Sequence, residues 1–499
     1  MFLSILLSII LPVAGQRDFD RLAERIDSVL TAGERDVEVV FEPGIYFYRD
    51  EHLCFWGIHA PDVALRLKGN GAVLVATGEG DGYTPDKGYA DLTALASVDV
   101  RQPVRKARSW PIPRLFRKGM YKILCHEPDR SEREAADMRM ILSQWFKGAD
   151  YKVVRIKHNY LYFRKDTSPR TRMWSELRFG RCLPRYILCT PPERTDLYAA
   201  SASRFLLVKD CSFQSFELAG FLFLVNGAGA PLLDFSAVRT DSVRITDCQF
   251  EGMRSQVIRV DGTDHMRISD NEFRKCFLGA ISVSARNRDA RIENCRFLDN
   301  GIQMTNTPIV DCKGEDFLVR GNYFEDFSYS AIGVGLHFTD TAGCVTSGKV
   351  EENEICMSEA FRSGVPRELV DGGAIYVWTQ NKDVSICRNY IHDIDGPHGN
   401  RGIFADDGAV NVEISGNLLL NIAGGKGIDL RRAFRVQRKK ASVIRKVNVG
   451  NRMMDNVLDA RCRFFVRRKD KTSFKGGNRR LPKRYDREAV VREWKSMWP

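Results

Sequence analysis

Nine short segments of the 499-residue chain share one pattern, and that repetition narrows the possible folds more than any other feature. They are LVKDCSFQSF (207–216), RITDCQFEGM (244–253), RISDNEFRKC (267–276), RIENCRFLDN (291–300) and LVRGNYFEDF (318–327), followed by KVEENEICMS (349–358), SICRNYIHDI (385–394), EISGNLLLNI (413–422) and VNVGNRMMDN (447–456). Each places Asn or Cys two residues before an apolar residue: Cys211, Cys248, Asn271, Cys295, Asn322, Asn353, Asn389, Asn417 and Asn451, at intervals of 23 to 37 residues. Such intervals suit one turn of a β-solenoid, a fixed coil of about 22 residues plus loops of varying length.

Alternation within each copy, as in Val-Arg-Ile or Val-Glu-Ile, has the period of a strand. Stacked Asn side chains would bond amide to amide at the strand spacing of about 4.8 Å, with Cys where a coil does without that bond. A second strand recurs in each coil: Phe221-Leu222-Phe223, Ile258-Arg259-Val260, Ile281-Ser282-Val283, Ile332-Gly333-Val334, Ile375-Tyr376-Val377, Ile403-Phe404-Ala405 and Ile428-Asp429-Leu430. Its inner positions are apolar and its outer ones vary, which leaves that face available for chemistry.

On these residues the chain resembles the right-handed parallel β-helix proteins of the pectate-lyase-like superfamily, over roughly 36–100 and 200–460. The stretch GIFADDGAVNVEISGNLLLNIAGGKGIDLRRAF is similar to a recurring segment of secreted β-helix proteins from polysaccharide-degrading bacteria. The expected fold is an all-β, right-handed parallel β-helix with an N-terminal capping helix and an inserted antiparallel β subdomain. Its expected parts are a signal peptide (1–15), the cap and first coils (16–100), a basic insert (101–195), the main β-helix (196–460) and a basic C-terminal cap (461–499).

The outer positions near Asp406 define the candidate site. Read as stacked strands, Tyr376, Phe404 and Asp429 form one outward row and Trp378, Asp406 and Arg431 the next, while two coils earlier Ser282 and Ser284, then Gln303 and Thr305, offer little. Aromatic rings beside carboxylates suit a sugar, whose C–H face packs on a ring while acid and base flank the glycosidic oxygen. Hydrolysis would use Asp406 and Asp429, with Asp407 as the alternate and Arg431 holding one carboxylate ionised. The resemblance also implies a lyase alternative, with Arg431 as base and Asp406, Asp407 and Asp429 as ligands for Ca2+. The remaining alternatives are a non-catalytic glycan binder or a structural β-helix, in which Asp406 and Arg431 are a plain cross-strand ion pair and Asp407-Gly408 a turn. Further substrate-binding candidates are His392 and His398, in a loop placed over the same patch, and His337, two positions beyond Gly335; Asp371, in LVDGGAIY, is another candidate.

Charge divides the chain. It is +12 overall, yet residues 101–195 carry 23 Lys and Arg against 9 Asp and Glu, and 435–499 carry 21 against 6, so the remaining body is acidic. The insert alternates like antiparallel strands and holds Trp110, Trp145, Tyr160, Tyr162 and Trp174, a composition suited to an anionic polysaccharide. The tail is expected to close the solenoid with a last turn and a short helix, because an uncapped coil exposes strand edges. The opening MFLSILLSIILPVAG is too short to span a bilayer and ends in small residues, so the expectation is export to the periplasm or outside. Export argues against a nucleic-acid partner, and no later segment is apolar enough to cross a membrane. Thirteen cysteines without metal-type spacing read mostly as core thiols. No cofactor is expected other than Ca2+ in the lyase case, and the sequence carries no signal for oligomeric state.

Overall fold

The computed structural model describes residues 8–48, 51–76, 120–124, 151–157, 160–165, 204–224, 231–253, 256–276, 279–301, 308–327, 329–335, 346–359, 372–378, 381–394, 401–406, 409–430, 449–466, 471–474 and 477–498. The repeating body is a parallel β-helix with three strands per coil. One coil shows the order: Arg239–Thr246, a corner at Cys248, Gln249–Glu251, a wider turn, then Ile258–Asp261. Every strand pairs in parallel with its counterpart one coil away, which gives two faces that share one continuous sheet and a third face of eleven strands.

Two strands per coil were expected, and the structure adds a third directly after the Asn or Cys corner. Phe221-Leu222-Phe223 therefore belongs to that second face, since Leu222 pairs with Gln249. The third-face strand of its coil is Leu233–Ser236, which pairs with Ile258–Asp261.

Each Asn or Cys corner turns on a residue in the left-handed region immediately before it. Asp210, Asp247, Asp270, Asn294, Glu352, Arg388 and Asp455 have φ between +52° and +59°, and Gly321 and Gly416 lie at +65° and +64°. The buried amide ladder then runs Asn322, Asn353, Asn389, Asn417, each Nδ2 donating to the next Oδ1 at 2.9–3.0 Å. It continues to Asn456 and Asn478, not to Asn451. Asn451 instead serves a different corner, where its Oδ1 accepts from the Val412 N–H at 3.0 Å. Cys248 and Cys295 fill ladder positions as buried thiols that donate to nearby carbonyls, and burial pushes both up to about 12. The nine described cysteines are all free thiols, eight of them buried.

Inside the coils, Phe223, Phe250, Phe273, Phe297 and Phe324 stack nearly parallel with centroids 4.4–5.1 Å apart. Identical strand register makes this stack, because each ring sits one strand spacing above the last. Ile355, Ile391, Leu419 and Leu458 continue the same row.

At the N-terminal end, helices Gln16–Asp20 and Leu22–Thr31 cover the first coils with Phe19, Leu22 and Ile26 buried. Residues Ile9–Val13, within the segment expected to be a leader, form the outermost strand and pair with Val37–Phe41. Strand His59–Ala76 pairs directly with Ser212–Leu224, so the intervening segment is inserted between adjacent coils. Within it, Met120–Leu124, Tyr160–Lys165 and Tyr151–Lys157 form a three-stranded antiparallel sheet. Trp110, Trp145 and Trp174 lie outside the described residues.

The tail supplies the last turn, but its helix Arg487–Ser496 lies along the side of the solenoid. Trp494 packs with Tyr390, Leu418, Leu420, Val457 and Leu481, and its Nε1 donates to the Gly416 carbonyl at 2.7 Å. Among the described residues no helix is long and apolar enough to cross a membrane.

Candidate functional site

The third face brings Tyr376, Phe404 and Asp429 into one row, as the strand alternation predicts. The row is sealed: their exposures are 2%, 0% and 1%. Tyr329 packs on Tyr376 at 5.7 Å between centroids, and Tyr376 meets Phe404 edge-on at 5.1 Å. Phe404 and Asp429 are therefore not substrate-contacting groups, a correction to their expected roles.

Arg401 explains the sealing. It begins the strand that ends at Ala405, and its guanidinium carbon lies 3.8 Å from the Phe404 ring centroid. Its Nε donates to Asp429 Oδ2 at 2.6 Å, and its Nη1 donates to the Gly372 carbonyl at 3.2 Å. The ion pair is itself buried, so Asp429 is already matched to a cation and out of reach of solvent. Arg401 was not singled out in the sequence, although an aspartate between Ile428 and Leu430 in a strand calls for a cation within reach, and Arg401 begins the strand paired one coil back.

The second row stays partly open. The Tyr376 hydroxyl donates to Asp406 Oδ2 at 2.8 Å, and the Tyr376 and Trp378 rings lie 4.6 Å apart at 53°. Both Trp378 and Asp406 are half-buried. A carboxylate with one oxygen fixed by a phenol keeps a defined orientation beside an indole edge, which is an arrangement able to orient a sugar hydroxyl or exchange a proton with it. Asp407, Arg431, His337, His398 and Asp371 fall outside the described residues.

His392 is not over this patch. It lies in strand Tyr390–His392 on the second face, where it pairs with Cys356 and Leu420. Its Nε2 is 3.2 Å from Glu354 and its Nδ1 is 2.8 Å from both Asp393 and Arg487 of the C-terminal helix. Arg487 also donates to Asp393 at 2.7 Å and to the Tyr390 hydroxyl at 3.1 Å. Arg487, through Asp393 and the Tyr390 hydroxyl, thus fastens the helix to the solenoid, with His392 beside the pair.

Burial alone would lower His392, but its bonds to Asp393 and Glu354 outweigh it and raise the pKa. Burial alone would raise Asp393, but bonds from His392, Arg487 and Asn421 hold it well below the usual carboxylate range. Asp393 therefore contributes stability fully above its unfolded value near 4, and loses it as pH falls through the lower folded value. His392 contributes fully below about 6.5 and loses it as pH rises through its raised folded value. The two contributions overlap between about pH 4 and 6.5, where this cluster should stabilise the fold most. Urea unfolding across pH checks this: Asp393→Asn should flatten the acid limb of stability and His392→Gln the alkaline one, whereas unchanged limbs would refute the assignment.

The fit to a calcium site is poor in the described residues. Asp429 would have to leave Arg401 to serve as a ligand, and no group of three or more His, Cys, Asp or Glu side chains among the described residues could hold a metal.

Sequence reasoning also missed charges elsewhere on the face. The strand next to Ile281–Val283 is Pro308–Cys312, not the segment of Gln303 and Thr305, so Ser282 pairs with Asp311. Two strands further toward the N-terminus in the same row, fully buried Asp234 takes two bonds from Arg259, at 2.9 and 2.7 Å. The loop lengths that set these pairings leave no mark in a repeat read by eye.

A family model described as right handed beta helix region matches residues 197–437. Among solved structures the chain is similar to PfbA, a surface adhesin of Streptococcus pneumoniae, at 10% identity and TM-score 0.40, covering 89% of this chain and 75% of that one. It is also similar to a structure described as a glycoside hydrolase, at 11% identity and TM-score 0.44, covering 97% of this chain and 98% of that one. Comparison with curated proteins gives no match.

Proposed function

We propose that this right-handed parallel β-helix protein holds an acidic polysaccharide against the third face at Trp378 and hydrolyses it with Asp406 as the acid–base group. The observation that carries the reading is the half-buried Asp406 carboxylate, held by the Tyr376 hydroxyl at 2.8 Å beside the half-buried Trp378 indole. The indole gives a pyranose ring a flat apolar surface, and the oriented carboxylate sits at its edge. The basic segments 101–195 and 435–499 favour an anionic chain. Export of the protein to the periplasm or beyond belongs to the same proposal.

One observation favours a second reading, glycan binding without cleavage. Hydrolysis ordinarily needs two carboxylates, and Asp429, the expected second one, is enclosed with Arg401. Asp406 is the one described carboxylate of the expected set with partial exposure.

The test is the purified protein on polygalacturonate, alginate, hyaluronan and neutral laminarin, with and without EDTA, following reducing ends and unsaturated products together. Hydrolysis predicts new reducing ends without unsaturated products. Asp406→Asn should then lower turnover about a hundredfold or more with binding kept, and Trp378→Ala should weaken binding about tenfold. Retained binding without any new ends in the wild type selects the binder, and unsaturated products would establish the lyase. Neither binding nor turnover on any of the four would reject the glycan reading.

A further inference from the structure

Trp56 stands apart from the apolar residues around it. Among the described residues the exposed large hydrophobics are Ile10, Met497 and Trp498 at the chain ends and Trp56, which is 64% exposed on the third face. Its ring carries the Lys209 ammonium 4.4 Å from its centroid. Trp56 pairs with Lys209, Lys209 with Ser236, and Ser236 with Asp261. The same outer row then passes Ser284 and Lys313 to reach Trp378 and Asp406, because the strands that carry them stay in register. Apart from Gly335, every member of this row is at least partly exposed. The site proposed above is therefore one end of a line, and Trp56 is the other.

The strands bearing Trp56 and Trp378 are seven steps apart in the sheet, which makes the line about 34 Å long at roughly 4.8 Å per step. Along it the carboxylates are already matched: Asp234 by Arg259, Asp261 by Arg286, and Asp311 by Lys313. Lys209 makes no salt bridge among the described residues and lies against an aromatic ring. A cation beside an open indole face is suited to a sugar ring bearing an anionic substituent, the face packing against the pyranose and the ammonium pairing with the charge.

We propose that Trp56 and Lys209 form a remote subsite for an acidic polysaccharide that also occupies Trp378, so that the third face binds an extended chain along the solenoid axis. The proposal rests on the glycan reading of Trp378 and Asp406 but can fail separately from it. The probes are polygalacturonate and alginate, each as polymer and as trisaccharide, the latter too short to span the line. Binding is measured by affinity electrophoresis for the polymers and by calorimetry for the trisaccharides.

Trp56→Ala and Lys209→Met are each expected to weaken polymer binding about tenfold while leaving trisaccharide binding at Trp378 and the thermal midpoint unchanged. The effect of Lys209→Met should fade in high salt, which screens exposed charges. Wild-type polymer affinity in both variants, with Trp378→Ala still impaired, would overturn the remote subsite and leave the Trp378 site standing. Failure of the wild type to bind either polymer or trisaccharide would remove both.

Discussion

Arg401→Ala is expected to destabilise the protein by about 3–5 kcal/mol, because it removes a buried cation from the buried Asp429 carboxylate. The arginine and Asp429 are 2% and 1% exposed, and their bond is 2.6 Å long. The substitution also removes the guanidinium from the Phe404 ring and a donor from the Gly372 carbonyl. Solenoids unfold by neighbouring repeats and not always as one unit. The loss should therefore appear first as faster hydrogen exchange in Ile375–Val377, Arg401–Ala405 and Lys426–Leu430, with a lower urea midpoint. The double variant Arg401→Met with Asp429→Leu should recover much of the loss, since an apolar pair of similar size needs no desolvated charge. An Arg401→Ala protein within about 1 kcal/mol of wild type would show that the pair is not sealed.

This result bears on how any activity is interpreted. Asp429→Asn would also weaken the pair, so a loss of turnover in that variant reports folding as much as chemistry. Among the described residues Asp406 accepts a hydrogen bond from the Tyr376 phenol, and it is partly exposed. Asp406→Asn should thus leave stability within about 1 kcal/mol, which makes it the cleaner test of the proposed acid–base role.

Asn389→Ala is the second large effect, at about 3 kcal/mol. Asn389 is fully buried, and its Oδ1 accepts from both the Asn353 N–H at 3.1 Å and the Asn353 Nδ2 at 2.9 Å. Its Nδ2 donates to the Val350 carbonyl at 2.9 Å and to Asn417 Oδ1 at 3.0 Å. Alanine leaves those groups buried and without these partners. Asn478→Ala at the partly exposed end of the same ladder should cost only about 1 kcal/mol, because water can replace part of what is lost. Equal losses at the two positions, measured by denaturant unfolding, would mean that the ladder is not what holds the corners.

The ladder also shows how much of the fold was legible beforehand. Asn322, Asn353, Asn389 and Asn417 could be read directly, because the Asn, the turn residue before it and the apolar residue two positions on are fixed to one another within a few residues. Asn451 was read as the next member from the same local pattern, yet Asn456 takes that place. Both follow a residue with positive φ, Gly450 and Asp455, and only the path of the chain between coils distinguishes them. Cys248 and Cys295 were correctly placed for the converse reason, a small apolar group filling a corner whose neighbours supply the bonds, whereas Cys211, read as their equivalent, sits at the corner after the third-face strand Arg204–Lys209, level with Val238.

The candidate site divides in the same way. Strand alternation placed Tyr376, Phe404 and Asp429 in one row, since a parallel stack transmits register from coil to coil. Whether that row met solvent depended on Arg401 reaching across from the start of its strand, and on Tyr329 packing beside it. The third face's true neighbour of Ser282, Asp311, was hidden because a loop shifted the strand several residues beyond where equal coils would put it. By itself, then, the sequence determined the coil, its corners and its inward rows, all of which follow from contacts between residues close in the chain or one repeat apart. Only the tertiary structure decided which charges neutralise one another, which aromatic residues stay exposed and where His392 belongs, because those outcomes depend on loop lengths and on the reach of side chains between coils.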